Sequence, residues 1–130
     1  MDRNCDHKLV ETTDKDFEIF KGECEKWIQY FGLLGWEVSY AHKEFERKEI
    51  MADICYNIFS RAAVIRLNLK RPKNECNDQS IKLSAFHEVC ELLLGRLTYM
   101  AEARFLADGE VEEETHNIIR TLENKIFKGK

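Results

Sequence analysis

The chain has 130 residues, 44% of them apolar and 34% charged, with a formal net charge of −4. That length suits one hydrophobic core, and the mixture excludes a disordered chain. No run of about 18 apolar residues occurs, so no membrane span is expected. Acidic and basic residues are interleaved without a basic block, so no nucleic-acid partner is expected either.

Residues 1–10 are charged and lack the apolar centre of a signal peptide, which makes the cytoplasm the default setting. The ends, 1–13 and 128–130, are expected to be flexible, and the whole chain to form one domain. Cysteines stand at positions 5, 24, 55, 76 and 90. An odd number at wide spacing, with no CxxC pair, argues against a disulfide framework and against a thiolate zinc site. Cys24, Cys55 and Cys90 lie in apolar contexts and read as small buried hydrophobes. A redox or ligand role for Cys90, beside Glu91, is the lesser alternative.

Residues 12–16 are polar and can cap a helix. Phe17, Phe20, Cys24, Trp27, Ile28 and Phe31 then recur at steps of three and four, one apolar stripe on a helix that Gly32 and Gly35 end. Three stretches alternate as strands do: 36–40, then Ala52, Ile54 and Tyr56, then 63–69, the most apolar of the three. The link 57–61 suits a hairpin between the second and third. Residues 70–80 hold the only proline, Pro72, with Asn74, Asn77 and Asp78, and read as a surface loop. A central helix is expected over 81–97, apolar on so much of its surface that it must be buried. Gly95 bends it or admits another element, and helical character resumes through Phe105. Asp108-Gly109 breaks the chain before a last helix over 110–126, whose apolar set is Val111, Ile118, Ile119, Leu122 and Ile126. The order predicts an α+β domain: an N-terminal helix, a small three-stranded sheet and two packed C-terminal helices.

Chemistry concentrates at Ala85-Phe86-His87-Glu88-Val89-Cys90-Glu91. His87 and Glu91 are four residues apart, so on a helix they share one face, one turn apart, as a divalent metal requires. Glu88 is rotated about 100° from His87, within reach of a metal-bound water. The last helix offers Glu112, Glu113, Glu114 and His116 near its start. Catalytic zinc sites take three protein ligands, and His87, Glu91 and His116 make such a set, with Glu113 as the fallback third ligand. The ordinary alternative is a core histidine bonded to a carbonyl, with glutamates on solvated helix faces. Buried charge needs a partner, however, and apolar residues crowd around this pair. His42, in a charged stretch, reads as solvated, His7 as part of a frayed end, and Tyr99 as a structural residue that could in principle donate to an oxyanion.

The Ala-Phe-His-Glu-x-x-x-Leu-Leu-Leu run, preceded by a strand and a polar loop and followed by an acidic helix, resembles the minimal zincin metallopeptidase fold. Small phage-encoded zincin-like proteins share this layout over roughly residues 17–127, although only the segment from His87 to Gly95 carries a specific motif. In gluzincins the motif is HExxH and a downstream helix supplies a glutamate. Here Glu91 replaces the second histidine, and His116 stands where that glutamate would be. The resemblance implies one zinc or other divalent ion, Glu88 as general base, and a peptide or protein substrate beside strand 63–69 as the sheet edge. The competing implication, favoured by the short chain and the exchanged ligand, is an inactive zincin-fold module that binds a protein partner and cleaves nothing.

Overall fold

The computed structural model describes residues 8–103 and 109–128. The elements in chain order are β1 (Leu9–Glu11), α1 (Asp14–Phe31), β2 (Glu37–Lys43), β3 (Ala52–Asn57), β4 (Ala62–Asn68), β5 (Lys70–Pro72), α2 (Asp78–Leu93), α3 (Gly95–Glu102) and α4 (Glu110–Leu122). A 3-10 turn (Lys73–Glu75) precedes α2, and a π-type turn (Glu123–Phe127) continues α4. The class is α+β, as the sequence predicts.

Helix α1 begins at a capping box. Thr13 Oγ1 accepts the Asp16 N–H at 3.1 Å, and Asp16 Oδ2 accepts the Thr13 N–H at 2.9 Å. It ends at Gly32, whose φ of 73° is the left-handed conformation that only glycine adopts without strain. The predicted stripe is buried: Phe20, Cys24, Ile28 and Phe31 pack against Ile81, Ala85 and Val89 of α2 and Ile65 and Leu67 of β4. These residues are the centre of the core.

The sheet order is β2-β4-β3, with β4 parallel to β2 and antiparallel to β3. Asn57 Oδ1 accepts the Phe59 and Ser60 N–H groups at 2.9 and 3.0 Å, closing the predicted hairpin, and Arg61 takes a positive φ of 55°. Strand β4 is therefore the middle strand, which corrects the expectation that 63–69 forms the edge. Ala63, Ile65 and Leu67 point inward and are buried, so the most apolar strand lies where both neighbours and the helices cover it. Strand β3 is the edge nearest α2. The same alternation turns Ala52, Ile54 and Tyr56 toward the helices and Cys55 outward, so Cys55 is exposed; Cys24 is buried and Cys90 only half-buried.

Asn68 ends β4 fully buried. Its Oδ1 accepts the Phe45 N–H at 3.2 Å and the Lys70 N–H at 3.0 Å, and its Nδ2 donates to the Ile50 carbonyl at 2.8 Å. One side chain thus ties the link between β2 and β3 to the start of β5. Asn68→Ala is expected to lower stability by about 2–4 kcal/mol, because buried backbone groups lose their partners. A shift of the urea midpoint at constant slope checks this.

The region 70–80 is not a simple surface loop. Its first residues pair antiparallel with Leu9–Glu11, which also orders part of the predicted flexible end. Arg71, on β5, is fully buried. Thr12 Oγ1 donates to the Asn68 carbonyl at 3.0 Å and accepts from His42 Nε2 at 2.7 Å. The His42 ring stacks on Phe17 with centroids 4.9 Å apart, so His42 is a packing residue rather than a solvated one.

The predicted helix 81–97 is two helices. Asn77 caps α2 by accepting the Ser80 N–H at 2.9 Å, and the chain bends at Leu94. A Cβ on Gly95 would lie 3.1 Å from Tyr56 Cε2, so the glycine admits the Tyr56 ring. Phe105 and Asp108 fall outside the described residues, as do Cys5 and His7. Gly109, at φ 84°, precedes α4. Among the described residues no helix is long and apolar enough to cross a membrane.

Candidate metal centre

The inward stripe of α2 consists of Ile81, Ala85, Glu88, Val89 and Leu92, so a carboxylate occupies a place that the helical repeat reserves for apolar side chains. Glu88 is 5% exposed, and its Oε1 has no hydrogen-bond partner among the described residues. His87 and Glu91 lie on the flank of the same helix, with side chains 69% and 50% exposed and His87 Nε2 3.0 Å from Glu91 Oε2. One donor atom from each of His87, Glu88 and Glu91 lies within 4.8 Å of the other two. The protein thus holds a group of one imidazole and two carboxylates that can bind a metal ion.

Burial, reinforced by the charge of Glu91, a hydrogen bond with it, and the charge of Asp53, pushes the Glu88 carboxyl up to about 8. A carboxylate so placed needs either a proton or a cation. A divalent cation beside these donors would offset the like charges of the two glutamates. The donor chemistry therefore fits a divalent ion.

The centre opens on a cleft of about 330 Å³. Glu75, Ser80, Leu83, Ser84, His87 and Glu88 form one wall, from α2 and the turn before it. Ile50, Met51 and Ala52, where the chain enters β3, form the other. The edge strand thus starts at the cleft.

His116 does not join His87 and Glu91, which corrects the expected ligand set. It is exposed on α4, and the donor that completes the group among the described residues is Glu88. The inward side of α4 is taken by Glu114, Asn117, Ile118 and Thr121, around a cavity of about 140 Å³ shared with Leu92, Arg61 and Arg96. Glu114, 8% exposed, accepts from Arg96 Nε at 3.1 Å. Glu112 and Glu113 are exposed on α4, and the fallback ligand is not one of the clustered donors among the described residues. Tyr99 packs edge-to-face on Phe59 at 5.4 Å and lines a separate depression with it. Cys90 is not one of the clustered donors, and burial raises its thiol pKa.

The sequence pattern did not single out two side chains at this cleft, Ser84 and the arginine behind it. The spacing of Ser84 from Glu88 was a usable signal; nothing in the pattern of β5 pointed to a buried Arg71. Comparison of the chain with protein-family models, with curated proteins and with solved structures gave no match.

Proposed function

We propose that this protein is a metal-dependent hydrolase that cleaves amide bonds in peptides, with zinc held by His87 and Glu91 and with Glu88 as general base. The observation that carries the reading is the buried Glu88 carboxylate, its Oε1 unpartnered among the described residues, clustered with His87 and Glu91 where His87 and Glu88 line a cleft. The His87-Glu88-x-x-Glu91 run also resembles the metal-binding helix of zincins.

His87 Nε2 and a Glu91 oxygen would hold the ion from one face of α2. Bound zinc supplies Lewis-acid polarisation of a carbonyl and lowers the pKa of water toward about 7. Glu88, ionised once a cation offsets Glu91, accepts the proton of the attacking water and returns it to the leaving amine. Apolar packing around Glu88 excludes bulk water and keeps its proton affinity high. The exposed edge of β3 supplies backbone groups with which an extended peptide can pair as it enters the cleft. The free thiols of Cys24, Cys55, Cys76 and Cys90 suit a reducing cytoplasm.

A second reading has one observation in its favour: all three donors come from one helix, with none from α4. A protein-binding module that keeps a metal and cleaves nothing needs no more than that. Metal analysis tests what the two readings share. Purified protein is expected to carry one equivalent of zinc, to lose it in His87→Ala and in Glu91→Ala, and to keep it in His116→Ala. Full zinc in both of the first two variants, or none in the wild type, contradicts the assignment.

A further inference from the structure

Arg71 is fully buried on β5, and its guanidinium bonds Ser80 and Ser84, two residues that line the cleft. Nε donates to the Glu75 carbonyl at 2.6 Å; Nη2 donates to the Ser80 carbonyl and Ser80 Oγ, both at 3.1 Å, and to Ser84 Oγ at 2.9 Å. Nη1 has no partner. The carboxylate of Glu75 accepts from Ser80 Oγ, so Ser80 bridges it to the guanidinium. A buried cation bonded chiefly to carbonyls and hydroxyls is costly, and its field is felt by whatever occupies the neighbouring space.

Ser84 lines that space, three residues before His87 and four before Glu88, on the same side of α2. An arginine N–H can only donate, so Ser84 Oγ is the acceptor in its 2.9 Å bond, and its own O–H is left to donate elsewhere. Donation from a charged guanidinium polarises that O–H and strengthens it as a donor.

We propose that Ser84 donates its hydroxyl to the carbonyl oxygen of the bound substrate, with Arg71 as the positioning residue that orients and polarises it. The inference rests on the hydrolase reading given above. As Glu88 takes a proton from water, the water oxygen bonds to the carbonyl carbon and the C=O π pair moves onto the carbonyl oxygen. Ser84 O–H meets that developing charge. When the C–N bond breaks, the electron pair leaves with nitrogen, Glu88 delivers the proton there, and the carbonyl reforms. The requirement is for an acyl substrate whose carbonyl points toward the Arg71 side of the cleft.

Acetohydroxamic acid, a stable ligand with a carbonyl oxygen, is the probe. Zinc affinity is measured first, then hydroxamate affinity of the zinc-loaded protein, both by calorimetry. Ser84→Ala is expected to bind zinc as the wild type does and hydroxamate roughly ten- to a hundredfold more weakly, the loss of one hydrogen bond to a charged acceptor. Ser84→Thr, which keeps the hydroxyl, restores the affinity. Arg71→Lys keeps the charge but not the fork and weakens hydroxamate binding as Ser84→Ala does; if it fails to fold, the Ala and Thr pair at position 84 decides. Equal hydroxamate affinity in Ser84→Ala, or no hydroxamate binding to zinc-loaded wild type, overturns the role of Ser84 alone. Failure of the wild type to take up zinc overturns the metal reading and this inference with it.

Discussion

Glu88→Gln is expected to depress peptide hydrolysis by roughly 10²–10⁴-fold, the usual contribution of a positioned general base. Glutamine fills the same volume in the inward stripe of α2 and cannot accept the proton of the attacking water. His87 and Glu91 remain, so zinc content should change little. Turnover of a quenched peptide library, read beside zinc content, checks both halves. Hydrolysis that survives the substitution unchanged contradicts the role of Glu88. Partner capture that survives in a protein with no hydrolysis in either form favours the binding module.

The second large effect is on stability in the metal-free protein. The Glu88 carboxyl stands near 4.5 when free and near 8 in the fold, because burial and Glu91 disfavour its charge. A folded-state value raised above the unfolded one means that the folded chain holds a proton which the unfolded chain has released. The stabilisation from that proton is full below about 4.5 and is lost as pH rises toward about 8. With zinc removed by a chelator, raising the pH from 5 to 9 is expected to cost wild type of the order of 3 kcal/mol more than it costs Glu88→Gln. Urea midpoints of the two proteins at both pH values measure the difference. Parallel pH profiles would contradict the burial of this carboxyl beside Glu91. Added zinc should restore the wild type at high pH, since an ion bound only by the folded state stabilises it by mass action.

Much of the fold is written in local patterns. The stripe Phe20-Cys24-Ile28-Phe31 and the Thr13–Asp16 box place α1 because each is a contact between near neighbours along one helix. Alternation in β3 and β4, with Asn57 between them, places the hairpin for the same reason. Alternation reveals which face a residue takes but not which strand lies beside it, so the central position of β4 was not legible. Strand β5 was hidden more deeply. Lys70, Arg71 and Pro72 carry no strand pattern, and the one fully buried side chain among them is a cation held by groups from 75 to 84.

The group of His87, Glu88 and Glu91 was half legible. The i, i+4 spacing of His87 and Glu91 is a local property and correctly joins them. Whether His116 could join them depends on how α4 docks, yet the repeat carried a usable signal. Glu114 lies about 40° around the helix from Ile118, whereas His116 lies about 160° away, on the outer side. By the same arithmetic Glu88 falls in the stripe of Ile81, Ala85 and Leu92, a spacing that by itself marks the side chain as buried.

X-ray absorption at the zinc edge of the loaded protein tests the centre most directly. One imidazole with oxygen donors at about 2.0–2.2 Å is the spectrum expected of a site built from His87, Glu91 and water. Scattering from two imidazoles, or from thiolate sulfur, would contradict it.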